Sequence, residues 1–319
     1  MICIDAVAVK ICHDTTECPE EEHVKLILEA GILALVSHKN ILKLVGICFD
    51  KIPSIMVTEY MIGGDLKTYL RMSSSNTSMH SITPVIITMR LLIDVTSQVA
   101  AALAYLEDRK LIHRDIAARN VLVGASLADV KLADFGMARN LYHSTDPVYL
   151  SRTEQRIPFK WMAPEVIRDL TNSTKSDVWS FGVLCWEIFS LGQTPYAALT
   201  TRETLLFILA GKRLIRPAPL CPIELYSLML ECWDLQAVSR PTFVDIFARI
   251  TALLFTIPFQ LLNEPAASSN LDKQCFDETQ FNLMPDGRGI RLMSIKRENP
   301  LFNTINLEDE TDENITSML

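Results

Sequence analysis

Four separated stretches of this sequence carry residues of the right type for chemistry on a charged substrate. "HRDIAARN" sets Asp115 and Asn120 five apart, and "DFG" opens on Asp134 directly after the apolar run "VKLA". Far upstream stand Lys10, closing "AVAVK", and Glu29 in "LEAGIL". Carboxylates can accept protons, and Asp and Asn oxygens are hard ligands for a cation such as Mg²⁺. A lysine and a glutamate can pair and leave the ammonium aimed at an anion. Taken singly, each stretch also has a bland reading. HRD could be a surface charge cluster, DFG a turn around a buried Phe135, and Glu29 one more solvated acid.

The elements that must position these residues follow from periodicity. The opening run alternates apolar residues (Ile4, Ala6, Ala8; Val7, Val9) and reads as a strand buried on both faces, ending at Lys10. "PEEEHVKLILEAGILALV" has acids in its first turn and apolar residues at Val24, Ile27, Leu28 and Ile32, an amphipathic helix bearing Glu29. "NILKLVGICF" and "PSIMVTEYM" read as strands, "GGDLKTYL" as the start of a short helix, and Val85 to Arg109 as a long helix. That helix leads into "HRDIAARN", which sits on a loop before the short strands "VLV" and "VKLAD". A polar loop runs from Asn140 to Gln155, followed mostly by helix to about Leu254. The remainder, rich in Pro, Asn, Ser and acids without periodicity, reads as a flexible tail.

In this order the stretches resemble a protein kinase, and more specifically a protein tyrosine kinase of receptor type. "APE" at Ala163–Glu165, "SDVWSFGV" at Ser176–Val183 and Arg240 in "SRPTF" extend the resemblance over roughly Ala6 to Leu254. It implies an α+β, two-lobed protein-kinase fold with an incomplete β-rich N-lobe, a mostly helical C-lobe and a flexible acidic tail. The expected limits are a kinase domain over 1–255 (N-lobe 1–60, C-lobe 61–255) and a tail over 256–319.

The resemblance also implies roles. Asp115 would accept the substrate hydroxyl proton, and Lys10, held by Glu29, would grip the α and β phosphates of ATP. Asn120 and Asp134 would bind Mg²⁺. Ala8 and Leu122 would sandwich the adenine, with Thr58 at the gatekeeper position and Glu59 and Met61 in the hinge. His113 and Phe135 read as packing pins, and Glu165 with Arg240 as a buried ion pair that supports the scaffold.

Two segments point to tyrosine as the acceptor. Ala117 and Arg119 stand in the "AAR" form of tyrosine kinases, with Arg119 able to reach Asp115, and Pro158 and Trp161 in "IPFKWMAPE" resemble the platform for a substrate aromatic ring. Tyr149, nine residues before Pro158, matches the activation tyrosine, with Tyr142 as a second candidate. Arg114 and Arg139 would supply the cations for its phosphate. Implied partners are tyrosine-containing protein substrates and phosphotyrosine-binding adaptors, although all seven tyrosines precede the tail.

Composition narrows the remaining classes. A net charge of -8 argues against nonspecific binding to nucleic acid. Eight cysteines without a CxxC pair suggest a reducing compartment rather than disulfides or zinc. "ITALLFTIPFQLL" is too short to cross a bilayer and is cut by Pro258, so the chain reads as soluble. The expected location is the cytoplasmic side, at the plasma membrane only as part of a longer receptor whose upstream portion carries a span. No Gly-rich phosphate loop precedes Lys10, which reads as N-terminal truncation. That leaves two function classes, an active tyrosine kinase or a catalytically impaired scaffold or binding module. For the chain by itself the expectation is weak Mg-ATP binding, slow turnover and an exposed apolar edge at Val7 and Val9.

Overall fold

The structure is a computed structural model and describes residues 6–11, 19–49, 54–74, 87–140, 158–217 and 219–258. Strands β1 (Val7–Ile11), β2 (Leu44–Cys48) and β3 (Ile55–Glu59) form an antiparallel sheet in the order β1-β3-β2. The register sets Ala8 opposite Thr58 and Lys10 opposite Met56. Among the described residues β1 pairs only with β3, and its apolar side chains are exposed, so the expectation of burial on both faces fails. Val7 is 45%, Val9 52% and Ile11 44% exposed, which is the apolar edge that the sequence also suggested.

Helix α1 (Pro19–Leu35) connects β1 to β2, and it is turned differently from the simplest reading of its apolar stripe. Leu26, Glu29, Ala30 and Leu33 are buried, whereas Val24, Ile27 and Leu28 are exposed. The spacing 26-29-30-33 is itself a helical face, with an acid in its centre. Leu26, Ala30 and Leu33 give that face its apolar part and Lys10 meets Glu29 on it, while periodicity of apolar residues alone scores it poorly because it contains the acid.

Beyond the sheet come β4 (Gly64–Asp65), α2 (Leu66–Ser74), α3 (Met89–Asp108), β5 (Leu111–Ile112), β6 (Val121–Val123), β7 (Val130–Leu132) and β8 (Arg139–Asn140). The two-residue strands β4, β5 and β8 are too short to leave a period in the sequence. Five further α-helices follow among the described residues: α4 (Pro164–Asp169), α5 (Thr174–Phe189), α6 (Thr201–Leu209), α7 (Ile223–Cys232) and α8 (Phe243–Thr256), of which α5 and α8 pack against α3. Thr88 caps α3 by accepting from the Leu91 amide at 3.3 Å. By length and composition α3 could cross a membrane, yet Leu92, Val95, Val99, Leu103 and Leu106 are buried in the protein core beside α8. It serves here as a core helix.

Helix α5 is the axis of this larger part. A reciprocal cap of Ser173 and Ser176 starts it, and every residue from Ser176 to Phe189 is buried. A helix buried all round normally carries only apolar and small residues. This one carries Asp177 and Glu187, and both reach into the loop between β5 and β6.

The sheet and the helical part meet through backbone. The Leu42 amide donates to Leu132 O at 2.9 Å, and the Leu132 amide to Asn40 O at 2.8 Å. Leu42, Met61 and Ala133 form a small second core at this junction, with Leu122 packed against it.

Candidate active site

The loop from His113 to Asn120 is held from below by α5. The His113 amide donates to Asp177 Oδ2 at 2.7 Å and the Arg114 amide to Asp177 Oδ1 at 2.9 Å. Arg114 is in the left-handed region at φ 71°, which costs a non-glycine residue about 1–3 kcal/mol and needs such an anchor. Burial pushes Asp177 up to about 7, against the pull of the two amides and the Arg114 charge.

His113 is wholly buried and links two backbone segments. Its Nδ1 accepts from the Asp115 amide at 3.3 Å, which leaves the proton on Nε2 to donate to Ala133 O at 3.1 Å. Burial lowers its pKa and keeps this neutral tautomer. Its ring meets the Phe135 edge with centroids 4.8 Å apart, so both act as the packing pins read from the sequence.

The Asp115 carboxylate is gripped by residues four and five further on. Arg119 Nη2 bonds Oδ1, and Asn120 Nδ2 donates to Oδ2 at 2.7 Å and to Asp115 O at 2.8 Å. The Asn120 amide group thus spends its donors on Asp115 and keeps Oδ1 as an acceptor. The Ala133 amide donates to Asn120 O at 2.8 Å, which brings Asn120 beside the residue preceding Asp134. Asp134 is exposed, with φ 61°, a region that Asp tolerates better than most residues.

Lys10 and Glu29 close the other side. Lys10 Nζ lies 2.6 Å from Glu29 Oε2, with the carboxylate side chain 6% exposed and the lysine 53%. Burial raises the Glu29 pKa, while Lys10 and the Phe135 amide hold it back. A Cβ on Gly136 would lie 3.3 Å from Asp134 Oδ1 and 3.8 Å from Glu29 Oε2, so this glycine separates the two acids by little more than its own width. Two side-chain pairs, Lys10–Glu29 and Asn120–Asp115, thus flank Asp134, which neighbours the first across Gly136 and the second through Ala133.

Of the residues read as an adenine site, Met61 and Leu122 fall at the junction described above, and Ala8, Thr58 and Glu59 in the three-stranded sheet. Ala8 and Thr58 are register partners, and Leu122 packs against Met61. The Glu59 side chain points to other work: it takes Lys131 Nζ at 2.8 Å and the Lys43 amide at 2.7 Å. Only its backbone could then serve a ligand.

Among the described residues no three His, Cys, Asp or Glu side chains could hold a metal by themselves. The Asp134 carboxylate and Asn120 Oδ1 fit Mg²⁺ nonetheless, because that ion takes one or two protein oxygens and completes its shell with phosphates and water. Arg114 and Arg139 come close enough for each other's charge to lower the Arg114 pKa, after burial as the main cause. Arg114 Nε is buried without a partner, a donor suited to an anion. Tyr142 and Tyr149 lie outside the described residues.

Trp161 ends a tight turn that Pro158 begins, and its indole Nε1 donates to Glu187 Oε2 at 2.8 Å. The Arg119 guanidinium lies 4.6 Å from the Trp161 ring centroid. Arg240 Nη1 and Nη2 make a two-pronged pair with Glu165 at 2.7 and 2.8 Å. Sequence reasoning assigned no role to Asp177 or Glu187. The available signal was two acids, ten residues apart, within an otherwise apolar helical stretch.

Comparison with known proteins agrees with this geometry. The family model "Protein tyrosine and serine/threonine kinase" matches residues 4–250. Tyrosine-protein kinase Fer of Rattus norvegicus is 38% identical over 247 residues, covering 77% of this chain and 28% of Fer. The leukocyte tyrosine kinase receptor of Mus musculus is 40% identical over 235 residues, covering 73% of this chain and 26% of the receptor. The high affinity nerve growth factor receptor of Rattus norvegicus is 38% identical over 259 residues, 80% of this chain and 32% of that protein. The chain thus spans about a quarter to a third of the length of these curated relatives. With an α+β fold, the Lys10–Glu29 pair and a gripped Asp115 already in place, the match over most of the chain establishes that it belongs to the protein tyrosine and serine/threonine kinase family.

Proposed function

We propose that this chain transfers the γ-phosphoryl group of ATP to tyrosine hydroxyls of proteins. The observation that carries the reading is the Asp115 carboxylate, bonded by Arg119 and Asn120 in the "AAR" arrangement. Asp115 takes the phenolic proton, and Arg119 steers the carboxylate and the incoming ring. Lys10, fixed by Glu29, holds the α and β phosphates, while Asp134 and Asn120 Oδ1 hold Mg²⁺. When bound, Mg-ATP supplies the phosphoryl group and disperses the charge that builds during transfer. Ala8 and Leu122 cover the faces of the adenine beside Thr58, and the backbone of Glu59 and Met61 meets its edge.

The same proposal extends to regulation and context. Phosphorylated Tyr149, with Tyr142 second, would dock on Arg114 and Arg139, a reading supported by the proximity of the two guanidiniums and the free Arg114 Nε. The kinase domain is taken as 1–255, with an N-lobe to 60 and an acidic tail over 256–319. Work on the cytoplasmic side in receptor-type signalling, with adaptor proteins as partners, fits the receptor relatives.

The test is phosphoamino-acid analysis after incubating the chain with Mg-ATP and a peptide pool that offers Tyr, Ser and Thr. Phosphotyrosine is the expected product. Mainly phosphoserine or phosphothreonine, or no transfer by a folded chain that binds Mg-ATP, would overturn the reading.

A further inference from the structure

A cavity of about 420 Å³ opens where the loop after α1 meets α3 and α8, and the transfer chemistry proposed above uses none of its walls. Loop residues 38–40 line it, with Gln98 and Ala101 of α3 and Phe247 and Thr251 of α8. Its polar groups are donors in surplus. Gln98 Oε1 accepts from Asn40 Nδ2 and from the Val130 amide, both at 3.0 Å, which fixes how the side-chain amide is turned. Gln98 Nε2 then gives one hydrogen to Leu127 O at 3.1 Å and keeps the other. The Ser97 and Thr251 hydroxyls lie 3.2 Å apart, so one of their two hydrogens goes to the pair and one is left for a further acceptor.

Cations stand beside these donors. Lys39 is exposed and has no ion-pair partner among the described residues. The Arg109 guanidinium lies 3.7 Å from the Tyr105 ring centroid, the His38 ring lies 5.2 Å from the same ring, and Asp108 meets Arg109 only loosely at 3.6 Å. Burial lowers the His38 pKa and the charges of Lys39 and Arg109 lower it further, so the two cations share one neighbourhood around a neutral ring. Helix α8 adds an apolar part. Val244, Phe247 and Phe255 are exposed, and at about 100° per residue they fall with Thr251 on one stripe. The chain that leaves α8 after Thr256 runs on to residue 319 and holds Ile305 and Leu307 followed by Glu308, Asp309, Glu310, Asp312 and Glu313. A block of acids of this kind is an interaction element. Thr251 lies only about 8 Å from the end of α8 at 1.5 Å per residue. About fifty residues link that end to Leu307, enough to span roughly 40 Å as a coil, so the acids are offered to the cavity at an effective concentration of about a millimolar.

We propose that this cavity and the α8 face beside it receive the acidic stretch 305–313 of the same chain, its carboxylates on Lys39, Arg109 and the spare Gln98 and hydroxyl donors, and Ile305 and Leu307 against Ala101 and Phe247. Acids that follow directly on apolar residues match donors and cations that adjoin an apolar helix face. Linkage to α8 favours the chain's own stretch over a second copy, which has no such local concentration. Each exposed ion pair contributes little alone, so several act together and salt weakens them. The inference stands apart from the choice of tyrosine as acceptor.

The full chain is treated with a water-soluble carbodiimide, which joins a lysine amine to a carboxylate in contact with it, and the products are mapped by mass spectrometry. Mixing ¹⁴N- and ¹⁵N-labelled chains separates links within one chain from links between two. Lys39 should be joined to an acid of 308–313 within one chain. The second readout is binding of a fluorescein-labelled peptide of residues 305–316. It is compared for wild type and for a variant carrying Glu308→Gln, Asp309→Asn, Glu310→Gln, Asp312→Asn and Glu313→Gln. Without its own acids as competitor, that variant should bind the peptide at least about tenfold more tightly than wild type. Adding Lys39→Glu to it should weaken peptide binding about tenfold or more, and so should Ala101→Leu, which fills the cavity. Lys39 is exposed, so its variant decides the matter even if Ala101→Leu fails to fold. The inference is overturned if Lys39 is not linked to 308–313, if wild type and the neutralised variant bind the peptide equally, or if Lys39→Glu leaves peptide binding unchanged. Links from Lys39 that run only between chains would overturn it as well, and would give the face to a second copy.

Discussion

Replacing Asp177 by Asn should cost the protein both stability and the shape of its catalytic loop. The carboxylate accepts from the His113 amide at 2.7 Å and from the Arg114 amide at 2.9 Å, one on each oxygen. An amide side chain keeps one oxygen and turns an NH₂ group toward the other backbone N–H. One buried donor is left unpaired, about 1–3 kcal/mol, and the surviving bond loses its charge assistance, about 1 kcal/mol more. The total of about 2–4 kcal/mol is a large share of the roughly 5–15 kcal/mol that holds a domain together, so the variant folds with a lower Tm. At about 2–4 °C per kcal/mol the drop is roughly 4–16 °C. Thermal unfolding at pH 8 reads this with Asp177 mostly ionised, since burial sets it at about 7. Below that pH the folded protein binds a proton at Asp177 that the unfolded chain takes up only near its ordinary value of 3.8. Wild type therefore gains stability over the Asn variant as pH falls through that window. A Tm within about 1 °C of wild type at pH 8 would refute the anchoring role, as would a gap that closes on acidification.

Two further predictions concern buried groups on either side of that anchor. His113 is neutral in the fold with its pKa lowered by burial, so its contribution is complete above the unfolded value of about 6.5 and is lost as pH falls below it. Wild type should lose up to about 1.4 kcal/mol per pH unit there relative to His113→Gln, by chemical denaturation at matched pH; parallel pH profiles would contradict it. Arg240→Met should destabilise by about 3–5 kcal/mol, because it strands the Glu165 carboxylate from a two-pronged partner whose own side chain is fully buried. A loss below about 1 kcal/mol in urea titration would count against a structural role for that pair.

Much of this architecture was legible in the residues because the chemistry fixes types and spacing together. The residues proposed as proton acceptor and metal ligand share one short loop with an Arg that reaches back, and "HRDIAARN" displays all three types at that spacing. The long helix of Met89–Asp108 was legible from its period, while the two-residue strands β4, β5 and β8 carried too few residues to show one. The face of α1 was misread because Glu29 interrupts the buried stripe, and an acid counts against burial until Lys10 is known to face it. Burial of β1 was misread for a related reason. Alternating Val and Ala look the same on a covered sheet and on a bare one, and only what packs on the faces tells them apart. Asp177 and Glu187 were silent because their partners are distant in sequence: Asp177 takes backbone amides 64 and 63 residues away, and Glu187 an amide 69 and an indole 26 residues away, which no local pattern encodes.

The central claim is that Asp115 accepts the tyrosine proton, and Asp115→Asn tests it most directly. The amide keeps the size of the side chain and an oxygen for one of its two donors, Arg119 and Asn120, and it cannot take up the proton. Phosphotyrosine formation is measured for both proteins with Mg-ATP and a tyrosine peptide, alongside Tm and nucleotide binding. The account predicts a folded Asp115→Asn protein that binds nucleotide as wild type does and forms phosphotyrosine at least about a hundredfold more slowly. Turnover within a few-fold of wild type in that folded protein would contradict it.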